Sequence, residues 1–102
     1  MFPDTNKVKK ALVSLALEES LFEIGGSKLL NDIFRILHEK FQSYLPDCYD
    51  HPEYLRGIFS EIDSGTCDVL LESLNKKLVE YSYQKPIGEF LVKISKIKCK
   101  VN

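Results

Sequence analysis

Apolar positions recur three and four residues apart along most of the chain, and no stretch sustains the strict alternation of a half-buried strand, so the pattern predicts an all-α fold. The first helix is expected from about Thr5 to Ile24. Val8, Leu12, Leu15 and Phe22 form one stripe, and Val13, Leu17, Leu21 and Ile24 are read as a second stripe beside it. Two neighbouring stripes predict a wide buried face and a central helix. Gly25-Gly26 ends it, since a left-handed C-terminal cap costs least at glycine, and Ser27 can cap the next helix. That second helix, Lys28 to about Tyr44, presents Leu30, Ile33, Phe34, Leu37, Phe41 and Tyr44 to the core, with Asn31, Arg35, His38 and Gln42 opposite. Leu45-Pro46 stops it, because a residue before proline is pushed out of the helical region.

A third, shorter helix is expected to start at Asp50, where Asp50-His51-Pro52-Glu53 has the order of a capping box with proline in the first turn. Its inward residues are Tyr54, Leu55, Ile58, Phe59 and Ile62. Asp63-Ser64-Gly65-Thr66 reads as a turn, and Thr66 or Asp68 starts a fourth helix through Cys67, Leu70, Leu71, Leu74, Leu78 and Tyr81. Lys85-Pro86 breaks the chain again and opens a fifth helix with Ile87, Phe90, Leu91, Ile94 and Ile97 inward. Short connections between about five amphipathic helices predict one compact bundle over residues 1–102.

Composition narrows the class. Hydrophobic residues make up 44% of the 102, including six Phe and five Tyr, which is enough apolar material for a core and excludes disorder. The net charge of −1 lacks the basic excess common in nucleic-acid binders, yet its distribution is uneven. Residues 47–72 carry seven acidic side chains against Arg56, and residues 76–102 carry seven lysines against Glu80 and Glu89. These blocks can attract each other within one chain, between two copies, or to separate partners. Cys48, Cys67 and Cys99 are odd in number and widely spaced, poor material for a disulfide framework and suited to a reducing cytoplasm. No apolar run is long enough to span a bilayer. Lys7, Lys9 and Lys10 before Ala11 to Leu17 imitate a signal peptide, but Glu18 and Glu19 close the run and no small-residue cleavage site follows.

The densest group of reactive side chains is Asp47-Cys48-Tyr49-Asp50-His51-Pro52-Glu53. No second Cys-x-x-Cys or His-x-x-x-His pair completes a metal site, so helix capping explains the cluster more simply, with Cys48 filling space. A Cys48–His51 or Cys48–His38 nucleophile lacks a third orienting group, and His51 in a first helical turn meets the positive end of the helix dipole. Neither catalytic, cofactor nor metal residues are assigned. Helices three and four with their short turn have the outline of a helix-turn-helix. Asp68 and Glu72 open the would-be recognition helix, however, and Lys76 and Lys77 come only near its far end, so binding to duplex DNA is expected to be weak and salt-sensitive. Lys93, Lys96, Lys98 and Lys100 complement the dipole of the last helix. With Tyr81 and Tyr83, at least one of which is expected near the surface, they form the interaction surface predicted from sequence.

The phrases Leu45-Pro46-Asp47-Cys48-Tyr49-Asp50-His51-Pro52-Glu53-Tyr54-Leu55 and Tyr83-Gln84-Lys85-Pro86-Ile87-Gly88-Glu89-Phe90-Leu91, together with Leu17 to Leu21, resemble the Nitrosopumilus output-domain family of ammonia-oxidising archaea over about residues 8–95. The resemblance implies a helical signal-output module without catalytic residues. The expected function is therefore a non-enzymatic protein-interaction or signal-output module of the cytoplasm, acting on a protein partner or on a second copy of itself. The alternative is a small DNA-binding regulator using helices three and four.

Overall fold

The long first helix turns back on itself at Gly26. In the computed structural model, which describes residues 5–97 and side chains from residue 7 onward, α1 spans Thr5–Phe41, and Gly26 inside it has φ 66° and ψ −162°. That conformation is essentially confined to glycine, because a Cβ there collides with the backbone. The element therefore consists of two arms, residues 5–25 and 27–41, running back along each other. Ser14 and Glu18 of the first arm share a cleft with Phe34 and His38 of the second, and Phe22 shares another with Leu30. The predicted break at Gly25-Gly26 is thus present as the turn of a helical hairpin. At Gly25 there is no room for a Cβ beside the Leu29 side chain.

Four further α-helices follow: α2 (Asp47–Asp50), α3 (Glu53–Phe59), α4 (Ser64–Leu78) and α5 (Lys85–Ser95). A 3₁₀ turn, Val79–Tyr81, continues from α4. No strand occurs among the described residues, and the all-α bundle is as the periodicity predicts. The hairpin is the central element, in contact with each of the other four helices. Its first arm supplies Val13, Leu17 and Leu21, its second Ile33 and Leu37, and these pack with Leu55, Phe59, Leu70, Leu74, Ile87 and Phe90 in one core. Ser20 is the polar exception on the inner face, with its hydroxyl 2.8 Å from that of Ser73, so its burial leaves no hydrogen-bonding group unmatched.

Several boundaries differ from the sequence reading, each for a local reason. The second arm ends at Phe41 and not near Tyr44, because Gln42 adopts φ 51°, a left-handed conformation that turns the chain out of the helix. Tyr44 consequently leaves the apolar face that helical spacing assigned to it. Asp50 does not cap α3: it closes the separate helix α2, and α3 begins at Glu53 after Pro52 with no side-chain cap. The Asp50 carboxylate accepts from Lys10 Nζ at 2.8 Å, tying α2 to the first arm, while Glu53 lies 3.0 Å from His51 Nδ1. The fourth helix stops at Leu78, so Tyr81 belongs to the 3₁₀ turn and Tyr83 to the following loop.

The start of α4, at Ser64, is two residues earlier than Thr66, the earlier of the two starts read from the sequence. Asp63 is its cap, accepting from the Thr66 backbone N–H at 3.0 Å and the Thr66 hydroxyl at 2.7 Å. These bonds, the hydroxyl's foremost, hold the Asp63 carboxyl below its usual range. The stabilisation they give is present at neutral pH and is lost as the pH falls through the lowered folded-state value. On α3, Gly57 makes room for a ring: a Cβ there would lie 2.5 Å from Phe41. Phe41 stacks on Tyr54 with centroids 4.4 Å apart, and Tyr54 on His51 at 4.7 Å, which fastens α3 across the end of the hairpin.

Candidate interaction surface

Leu15 and Leu17 are two residues apart, which on an α-helix is about 200° of rotation, so they cannot share a face. The structure resolves them accordingly: Leu17 is fully buried, while Leu15 is 52% exposed. Val8 and Phe22, one heptad before and after Leu15, are exposed with it. This corrects the sequence reading of two adjacent buried stripes. The first arm instead has an inner apolar face in the core and an outer apolar face in solvent. The second arm adds Phe34, and the chain beyond it adds Tyr44, 72% exposed. Both had been assigned to the core.

These side chains border two clefts. One, of about 590 Å³, lies between the arms and is lined by Ser14, Glu18, Phe34, Arg35, His38 and the segment 43–46. The other, of about 480 Å³, lies towards the hairpin turn between Leu15, Phe22 and Leu30, with Glu18, Glu19 and Glu23 at its edge. Glu18 lines both, so the two clefts adjoin along the outer face and together make up the hairpin groove. The acidic lining residues all come from the first arm, and the basic and imidazole groups, Arg35 and His38, from the second. Glu23 and Glu19 are engaged by Lys77, at 2.9 and 3.8 Å, and Arg35 makes an exposed 3.5 Å contact with Asp32. Glu18 forms no ion pair with another described residue.

The other candidates are dispersed. Cys48 is completely buried, and its thiol is pushed up to about 12 by burial first and by the nearby Asp47 and Glu53 carboxylates second. Such a thiol stays protonated at neutral pH and offers neither a nucleophile nor a metal ligand. His51 points along the ring column, and no three His, Cys, Asp or Glu side chains converge on a common point among the described residues. Cys48 is therefore predicted to resist alkylation by iodoacetamide at pH 8 in the folded protein and to react as denaturant unfolds it. Rapid stoichiometric labelling without denaturant would contradict this environment.

Cys67 corrects the cysteine reading, since it is buried in α4 and disulfide-bonded. An odd cysteine count prevents complete pairing and leaves pairing of two open. Cys99 lies outside the described residues, as do Lys98 and Lys100. The remaining members of the surface predicted from sequence line separate clefts. Lys93 and Lys96 line one cleft with Asp50, Glu53 and Arg56, so the acidic and basic blocks face each other within one chain. Tyr81 is half-buried against Leu12, Ala16 and Leu78, whereas Tyr83 is 80% exposed. The α3–α4 corner is formed, but α4 exposes Asp68, Val69 and Glu72, and its Lys76 and Lys77 are held by Glu72, Glu19 and Glu23.

Taken together, the elements and surface define a small all-helical fold with exposed apolar side chains, Val8, Leu15, Phe22 and Phe34, on both arms of a helical hairpin. Comparison with family models, with curated proteins and with solved structures finds no match.

Proposed function

We propose that this chain is a non-enzymatic protein-interaction module, in keeping with the signal-output role implied by the family resemblance, and that it contacts its partner through the outer face of the α1 hairpin. The observation that carries the reading is the contiguity of Leu15, Phe22, Phe34 and Tyr44 along one groove. Scattered surface apolar residues are ordinary, whereas a contiguous patch of large ones rimmed by charge is characteristic of contact sites. Two antiparallel helices with an open groove between them also suit the reception of another helix. A DNA-binding role draws less support, because the exposed side of α4 is acidic and its lysines are already paired. The cytoplasmic setting inferred from cysteine usage is weakened by the disulfide at Cys67, which favours an oxidising compartment or the cytoplasm of a thermophile.

Position-resolved photo-crosslinking tests the assignment. A photoreactive side chain is placed singly at positions 22, 34, 69 and 92, all exposed, and irradiated in cells producing the full chain. Protein adducts concentrated at 22 and 34 support the reading. Equal yields at all four positions, or adducts only at 69 and 92, overturn it.

A further inference from the structure

We propose that the partner of the hairpin groove is a second copy of this chain, paired about a two-fold axis that runs along the hairpin; the inference rests on the reading of the groove as a contact surface. Such an axis exchanges the two arms at each level of the hairpin. Glu18 and Arg35 line the same cleft from opposite arms, so the operation sets Glu18 of each copy against Arg35 of the other, twice in one interface. Within one chain this pair is not made: Arg35 contacts Asp32 at 3.5 Å, and Glu18 has no ion-pair partner among the described residues. The same operation lays Phe22, on the first arm, against the level of Leu30 on the second, closing apolar surface on apolar surface. A face with acid on one arm and base on the other is complementary to itself under this symmetry. A two-fold axis lying across the hairpin, which leaves the arms unexchanged and reverses their direction, would set the acidic arm against itself, and this is disfavoured.

The extent of the surface agrees. Leu15, Phe22, Phe34 and Tyr44 together expose roughly 400 Å² of largely apolar area, taking a whole aromatic side chain as about 200 Å². A standard interface buries about 800 Å² on each partner, with an apolar centre and a polar rim, and the hydrophilic residues along the same groove supply the remainder. The two charge blocks along the chain do not guide this pairing, because Lys93 and Lys96 already line one cleft with Asp50 and Glu53 in the same molecule.

Sedimentation velocity on the purified full chain, from low to high micromolar concentration, decides the matter through a charge swap. The wild type is expected to form a monomer–dimer equilibrium. Glu18→Arg and Arg35→Glu, each at an exposed position, are each expected to weaken association at least about tenfold, and the double variant carrying both is expected to restore it, because the swap recreates both pairs. Circular dichroism verifies that each variant keeps its helices, and Phe22→Ser provides an independent break of the same interface. A strict monomer throughout the range overturns the self-pairing, while crosslinks at 22 and 34 would still uphold the groove as a site for a different protein. A dimer indifferent to both reversals, or one that the double variant fails to restore, overturns this geometry.

Discussion

Gly26→Ala is expected to lower the unfolding free energy by about 2–3 kcal/mol, among the largest effects available to a substitution that adds a single methyl group. The rest of the fold leaves open space at Gly26, with nothing outside its local backbone within 4 Å of an added Cβ, so the penalty does not come from packing against other elements. It comes from φ 66° with ψ −162°, a backbone state that an L-residue enters only under strain. Alanine is at the same time the best helix former, so the chain has a low-energy alternative in which residues 5–41 run on as one straight helix. That alternative separates Leu17 and Leu21 from Ile33 and Leu37 and is incompatible with the core. Thermal unfolding followed by circular dichroism should show a midpoint lower by roughly 10–20 °C. An unchanged midpoint would mean that the hairpin turn is made elsewhere.

The second large effect is a contrast between neighbours on one helix. Leu17→Ala removes a fully buried side chain at the centre of the core and is expected to cost about 3–4 kcal/mol, transfer and cavity terms together. Leu15→Ala, two positions away, removes a side chain already 52% exposed and is expected to cost under about 1 kcal/mol. Urea denaturation at submicromolar protein, where association does not contribute, measures both. Equal losses would show that the outer stripe supports the fold.

This contrast also marks how far the sequence can be read. Hydrophobic spacing located every long helical segment, the break at Gly25-Gly26 and the inward residues of α5, because those features depend on local chemistry and on one buried face. It could not say which of two apolar stripes on the first arm is buried, since both have helical spacing and the choice depends on what packs against them. Angular arithmetic alone would have shown that Leu15 and Leu17 face apart, and so that one stripe was left without an obvious partner. Tyr44 escaped for a different reason: the left-handed turn at Gln42 has no composition signal, because glycine or asparagine usually marks that position. Asp50 and Glu53 have capping-box spacing, but the salt bridge from Lys10, forty residues away in sequence, recruits Asp50 elsewhere. The groove itself joins residues from 14 to 46 and becomes visible only when the hairpin closes.

We infer that the outer face of the hairpin is kept for contact and contributes little to folding. The most direct test is the equilibrium stability of the Phe22→Ser, Phe34→Ser double variant at submicromolar concentration, compared with wild type under the same conditions. The two rings keep 57% and 40% of their surface in solvent in the single chain, so the double substitution is expected to cost about 2–3 kcal/mol, well below the sum for two core aromatics, and to leave the helical spectrum unaltered. A loss of about 6 kcal/mol or more, on the order of that for two core aromatic residues, would place these rings in the fold and contradict the assignment of the groove as a docking surface.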